Sequence, residues 1–120
     1  MVTRPLNFAL VGCGRISKRH LDLLGLGKIS NARLSAVCDV VAERAAAAGG
    51  AYSVPHYTDM HEMMRAEMID AVAVLTESGR HAEHVIALAP YKKHIVVEKP
   101  MALTLADADR MIRACDQAGI

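Results

Sequence analysis

Two hydrophobic periodicities alternate along the chain. Leu6 to Val11 is an unbroken apolar run, the pattern of a strand buried on both faces. After two glycines it gives way to helical spacing, with Ile16, His20, Leu23 and Leu24 recurring until Gly25 and Gly27 end the helix. Ala32 to Asp39 predicts a second strand, closing on a carboxylate. The alanine-rich stretch from Val41 to Ala48 predicts a helix stopped by Gly49-Gly50. A short strand containing Pro55 is expected around Val54 to Tyr57. Asp59 is placed to cap a helix whose Met60, Met63, Met64 and Met68 face the core. Ile69 to Thr76 is the plainest strand; it runs into Glu77-Ser78-Gly79, and a helix from about Arg80 to Ala89 follows. His94 to Glu98 predicts the last strand, broken by Lys99-Pro100. Thr104 and Asp107 then form a capping box for a helix presenting Leu105, Ala108, Met111, Ile112 and Cys115.

Strands alternating with helices predict βαβ units: an α/β fold with a doubly wound parallel sheet of about five strands between two helical layers. No repeat, low-complexity tract or linker divides the 120 residues, so one domain is expected. Ala118-Gly119-Ile120 after the last helix reads as the start of a further strand, and more polypeptide is expected to follow.

Composition narrows the partners. With 52% hydrophobic and 22% charged residues the chain is expected to be soluble and globular. A net charge of +1, with basic residues scattered apart from Lys92-Lys93, offers no field for nucleic acid or an anionic membrane. No apolar run nears the roughly 20 residues of a membrane span, and the first residues lack a signal-peptide core, so a cytoplasmic protein is expected. Cys13, Cys38 and Cys115 are too few and scattered for a disulfide framework or a zinc site and read as reduced, partly buried thiols, Cys13 the most accessible. His81 and His84, three apart on a helix, lack a third ligand at suitable spacing, so no metal is expected. His20, His56, His61 and His94 belong to no constellation.

The chemistry gathers at strand ends. Gly12-Cys13-Gly14-Arg15-Ile16-Ser17 fits the G-x-G-x-x-G dinucleotide fingerprint, with serine in the third glycine's place. The first glycine serves the tight turn, the second leaves room for phosphates at the helix start, and the third serves helix-on-strand packing, which a small serine still allows. Asp39, at the end of the second strand, is placed to accept hydrogen bonds from adenosine ribose hydroxyls and to repel a 2′-phosphate. Val40 beside it offers no cation, so NAD is favoured over NADP, with Arg44 one helical turn on as the only counterweight. Asp39 is equally placed to cap the helix from Val41. Ligands of open parallel sheets bind outside the carboxyl ends of the strands, where Gly12, Asp39, Thr76 and the Glu98-Lys99-Pro100 segment converge. Thr76, Glu77 and Ser78 are expected on the ribose and diphosphate side. Lys99 is expected at the nicotinamide end as a charged or proton-shuttling group, and His81 either at the cofactor crevice or as a satisfied surface histidine.

With the fingerprint, Asp39, Leu75-Thr76-Glu77-Ser78-Gly79-Arg80-His81 and Glu98-Lys99-Pro100 in hand, the chain resembles the Gfo/Idh/MocA oxidoreductases over essentially its whole length. The resemblance implies a Rossmann NAD(P)-binding domain with a G-x-G turn, a T-P-x-x-x-H segment and an E-K-P segment. Thr76, His81, Glu98, Lys99 and Pro100 fall on those positions, and Lys99 is implied to take part in catalysis or substrate placement. Glu77 stands where that pattern has proline. Lys92 stands where glycine commonly follows the helix, which predicts either a left-handed lysine at a cost of about 1 kcal/mol or a helix ended differently by Pro90. The implied reaction is hydride transfer between a nicotinamide and a ring hydroxyl of a sugar, inositol or nucleotide sugar. The wording around Thr76 and Glu98 is most similar to members acting on UDP-N-acetylglucosamine-derived uronic acids in surface polysaccharide synthesis. The resemblance also implies a second, carboxyl-terminal α/β domain that carries the remaining catalytic group, the substrate contacts and a homo-oligomer interface.

Two other readings compete. A non-catalytic sensor of cofactor or sugar has the same fold, and Lys99 argues against it. A flavodoxin- or response-regulator-like domain shares the alternation of elements, and the G-x-G turn followed by an acidic second-strand end argues against that.

Overall fold

The computed structural model describes residues 4–120. Its elements are β1 (Leu6–Val11), α1 (Ser17–Gly25), β2 (Ala32–Cys38), α2 (Ala42–Tyr52), β3 (His56–Tyr57), α3 (Met60–Ala66), β4 (Ala71–Val74), α4 (His81–Leu88), β5 (His94–Val97) and α5 (Leu105–Ala118). Single 3₁₀ turns, Ser78–Arg80 and Ala89–Tyr91, flank α4. The five strands form one parallel sheet in the order β3-β2-β1-β4-β5. From β1 the chain winds outward through β2 to β3, then returns to β4 on the other side. The doubly wound sheet predicted above is the one observed, and its strand order reverses between β1 and β4, where a crevice opens at the carboxyl ends.

Each sheet face has its own core. Ala9, Val11, Ala36, Val72 and Val74 pack with Met63 and Met64 of α3, Val85 and Leu88 of α4, and Met111 of α5. Leu10, Val37 and Ala73 pack on the other face with Leu21 and Leu24 of α1 and Ala48 of α2. Burial on both faces is why the strands read as continuous apolar runs. In β2 a bulge breaks the alternation: Phe8 pairs with Leu34 and Ala9 with Ala36, so Ser35 is the extra residue. Leu34 and Val37, three apart, therefore share a face.

The helices depart from their predicted bounds for packing reasons. In α1 the buried side chains are Ser17, Leu21 and Leu24, while Ile16 and Leu23 are exposed, because the turn places Ile16 before the first helical residue. Gly49-Gly50 does not stop α2, which runs on to Tyr52 and ends at a left-handed Ser53. Met63 and Met64 are core residues but Met68 lies past the end of α3 and is exposed. In α5, Met111 is buried while Leu105 and Ile112 face outward. The two predicted caps are present: Asp59 accepts from the His61 amide at 2.9 Å and Thr104 from the Asp107 amide at 3.1 Å. After α4, both predicted alternatives occur together, since Pro90 lies in the 3₁₀ turn and Lys92 is left-handed with φ 61°.

Candidate cofactor site

The crevice is built on the β1–α1 turn. Gly12 has φ +103°, and a Cβ there would lie 2.8 Å from the Leu75 carbonyl carbon and oxygen, so neither its conformation nor its packing admits a side chain. Its amide donates to the Cys38 carbonyl at 2.8 Å, continuing the β1–β2 ladder into the turn. A Cβ on Gly14 would meet nothing within 4 Å, so this face of the turn is bare. The Ser17 and Lys18 amides bond back to the Gly14 and Arg15 carbonyls, which leaves the Gly14, Arg15 and Ile16 amides at the helix mouth as the donors that an anion takes. Ser17, in the third glycine's place, is buried and donates its hydroxyl to the Gly14 carbonyl at 2.5 Å. The serine thus locks the turn as well as packing the helix.

Asp39 is 8% exposed, and both its oxygens are engaged. Oδ2 accepts from the Cys13 amide and Oδ1 from the Val41 amide, each at 2.8 Å. The carboxylate therefore caps the start of α2 and also ties the glycine turn to the end of β2. Each oxygen keeps a further acceptor position for a ligand hydroxyl. The Cys13 thiol, beside this carboxylate, is pushed up to about 11 by burial and then by Asp39. Cys38 is pushed up to about 12, again chiefly by burial. These are protonated, unreactive thiols at neutral pH, in keeping with the expected reduced, partly buried cysteines, and Cys13 is half-buried in the turn.

A cavity of about 530 Å³ opens at this edge, and Gly12, Gly14, Asp39 and Thr76 line it, together with Arg44. Glu77 lines it too, whereas Arg15, Ile16, Ser78, His81, Glu98, Lys99 and Pro100 stand outside that lining. Arg15 and Ile16 are exposed at the helix mouth, and Ser78 lies half-buried in the 3₁₀ turn. His81 is 1% exposed, with Nε2 2.9 Å from the Thr76 carbonyl and Nδ1 2.8 Å from the Pro100 carbonyl, so its ring is spent on the protein's own backbone. Glu98, Lys99 and Pro100 follow β5 on the far side of β4, with Lys99 and Pro100 exposed and a cis peptide between them.

The cavity also takes in residues that the sequence did not single out. Thr58, Asp59 and His61 reach it from the β3–α3 junction, and Arg80, Glu83 and His84 from the α4 side. His84, one turn beyond His81, is the histidine that lines the crevice; its Nδ1 lies 2.8 Å from the Thr76 hydroxyl. Burial first and the Arg80 guanidinium second lower its pKa, which favours the neutral ring as a hydrogen-bonding wall. Only the i, i+3 spacing of the two histidines pointed to it. Among the described residues no group of three or more His, Cys, Asp or Glu is placed to hold a metal, and no helix is long and apolar enough to cross a membrane.

The cradle fits a dinucleotide. A bare glycine face and helix-mouth amides suit a diphosphate, and a carboxylate at the end of β2 suits a ribose. Residues 6–120 match the oxidoreductase family with an NAD-binding Rossmann fold. The D-apiose dehydrogenase of Paraburkholderia graminis is 39% identical over 113 residues, covering 93% of this chain and 30% of that protein. The myo-inositol 2-dehydrogenase of Thermotoga maritima is 37% identical over 116 residues, covering 96% of this chain and 34% of that one. The WlbA dehydrogenase of Bordetella pertussis, solved with NADH and UDP-GlcNAcA, superposes with a TM-score of 0.90 at 38% identity, over 97% of this chain and 36% of its own. The chain thus spans about a third of the length of these relatives. Fold, turn and comparisons agree, and the chain belongs to the Gfo/Idh/MocA oxidoreductases through their NAD-binding Rossmann domain.

Proposed function

We propose that this chain is the cofactor half of an NAD-dependent dehydrogenase that exchanges a hydride with a ring hydroxyl carbon of a sugar, inositol or nucleotide sugar. The observation that carries the reading is the convergence of the Gly12–Gly14 turn, Asp39 and Thr76 on one cavity, with Lys99 held at the same sheet edge. The Gly14, Arg15 and Ile16 amides would hold the diphosphate and Asp39 the adenosine ribose. Thr76 and Ser78 would line the path toward the nicotinamide, which supplies the hydride acceptor when bound. Lys99 would hold the substrate oxygen and take or return its proton. His81 serves this site through Pro100.

NAD is favoured over NADP because a 2′-phosphate would face the Asp39 carboxylate, and Val40 beside it, 80% exposed, is apolar. Arg44 lines the same cavity and softens that preference. The relatives named above act on an apiose and an inositol, or were solved with a nucleotide sugar, at nearly equal identity to this chain. The reading therefore stops at the shared ring-hydroxyl chemistry. The greater length of those relatives supports further polypeptide beyond this domain, to which the proposal assigns the substrate contacts and a homo-oligomer interface.

Titrating NAD and NADP into the chain by calorimetry tests the reading. NAD is expected to bind at least about tenfold tighter than NADP, a difference near 1.4 kcal/mol. Absence of binding by either would remove its foundation.

A further inference from the structure

Lys99 is exposed, yet the backbone that carries it is fastened on both sides. Before it, the Glu98 amide donates to the Val74 carbonyl at 3.1 Å, extending the β4–β5 ladder. The Glu98 carboxylate then accepts from His20 Nε2 at 3.0 Å, across 78 residues of sequence. That partner holds the Glu98 carboxyl below its usual range, as expected of a charge-assisted bond. After Lys99, the Pro100 carbonyl faces Nδ1 of His81, whose ring is buried and whose Nε2 faces the Thr76 carbonyl. His20 belongs to α1, the helix that starts at the glycine turn, and His81 opens α4, the helix that follows β4. Two helices starting from the cofactor edge therefore each use a histidine to hold a residue next to Lys99.

A loop that merely leaves a strand has no need of these tethers, and a buried imidazole set between two backbone carbonyls is an expensive way to pack a core. The arrangement makes sense if the origin of the lysine side chain must be fixed relative to both the glycine turn and β4. We propose that His20 and His81 are positioning residues, a two-histidine clamp on Glu98 and Pro100 that sets where the Lys99 ammonium stands against the nicotinamide end of the bound cofactor. The proposal rests on the placement of Lys99 given above, and it adds two residues that touch neither cofactor nor substrate.

The test compares a ligand that has a nicotinamide with one that lacks it. Affinities of the chain for NADH and ADP-ribose are measured by calorimetry, together with the fluorescence emission of bound NADH, which reports on the surroundings of the reduced ring. His20→Leu is expected to weaken NADH about fivefold and shift its emission, leaving ADP-ribose unchanged; His20→Gln, whose amide N–H can still donate to Glu98, restores both. His81→Asn is expected to act in the same direction, but this buried site risks the fold, so the exposed-side variant at His20 decides. The clamp is overturned if His20→Leu behaves as wild type, or if it weakens NADH and ADP-ribose equally, which would mark a general role in folding. Lys99→Met separates the two ideas. If it leaves emission and the NADH to ADP-ribose ratio unchanged, the placement of Lys99 at the nicotinamide end is what fails. If it moves them while His20→Leu does not, only the clamp fails.

Discussion

The Asp39 carboxylate accepts the Cys13 amide on one oxygen and the Val41 amide on the other. Its removal therefore does two things at once. It deletes the acceptor for a ribose hydroxyl, which affects NAD, and it unties the glycine turn from β2, which affects any ligand whose diphosphate sits on that turn. Losing the negative charge also relieves the repulsion of a 2′-phosphate. Asp39→Ala is expected to weaken NAD by about tenfold or more and NADP by a smaller factor, so that the preference narrows while both affinities fall. Calorimetric titration of the variant with both cofactors checks this. An unchanged NADP affinity would mean that relief of the 2′-phosphate repulsion fully offsets the loss of the amide tethers, and equal losses would mean that the carboxylate never meets the ribose.

At the level of the element, α2 gives two adjacent glycines opposite roles. A Cβ on Gly49 would lie 2.8 to 2.9 Å from the His56 side chain and the Val54 carbonyl, whereas one on Gly50 would meet nothing within 4 Å. Gly49 lets the helix lie against the start of β3; Gly50 only costs helix propensity. Gly50→Ala should stabilise the fold by about 0.5–1 kcal/mol, raising the melting temperature by a few degrees, and Gly49→Ala should lower it. Thermal unfolding of the two variants should move in opposite directions. Read from the sequence, the pair looks like a helix stop, because glycine's common use after a helix is local and close packing against a distant strand is not. The same distinction separates what else was legible. The alternation of elements, the Gly12–Gly14 turn, the Asp59 and Thr104 caps and the acidic end of β2 follow from local rules and stand in the fold as expected. Leu105 and Ile112 are apolar yet exposed, because only packing decides which apolar residues of a helix face inward. The crevice wall made by Thr58, Asp59, His61, Glu83 and His84 carries no motif. It exists because α3 and α4 cover the same sheet face and start at the same edge of it.

At the scale of the whole fold, four carboxylates among the described residues are held below their usual range: Asp22 by Lys18, Asp70 by Arg4, Glu83 by Arg80 and Glu98 by His20. The Lys18–Asp22 and Arg80–Glu83 pairs lie on helix surfaces, where solvent screens them and they contribute little. Asp70 differs because it binds separate parts of the sheet together. Its carboxylate accepts both guanidinium nitrogens of Arg4 and the Asn7 amide, and its carbonyl accepts the His94 amide, so the amino-terminal ends of β1, β4 and β5 meet at one residue. Depressed folded-state pKa values mean that, as acid is added, the unfolded chain takes up protons before the folded one does. The stability these groups supply is then complete above the unfolded values, near 3.8 for aspartate, and is lost as pH falls toward the folded ones. The melting temperature should hold steady down to about pH 5 and fall steeply below it. Asp70→Asn keeps the shape but cannot accept from Arg4 and the Asn7 amide on the same charged group, so it should melt several degrees lower than wild type at pH 7. Below about pH 3.8 the unfolded wild-type chain takes up a proton at Asp70 that the folded one still refuses, and the two melting curves should draw together as the pH falls further. Circular dichroism melts of both proteins across that range would decide it: a gap that stays constant with pH would show that Asp70 acts through its shape alone and not through its charge.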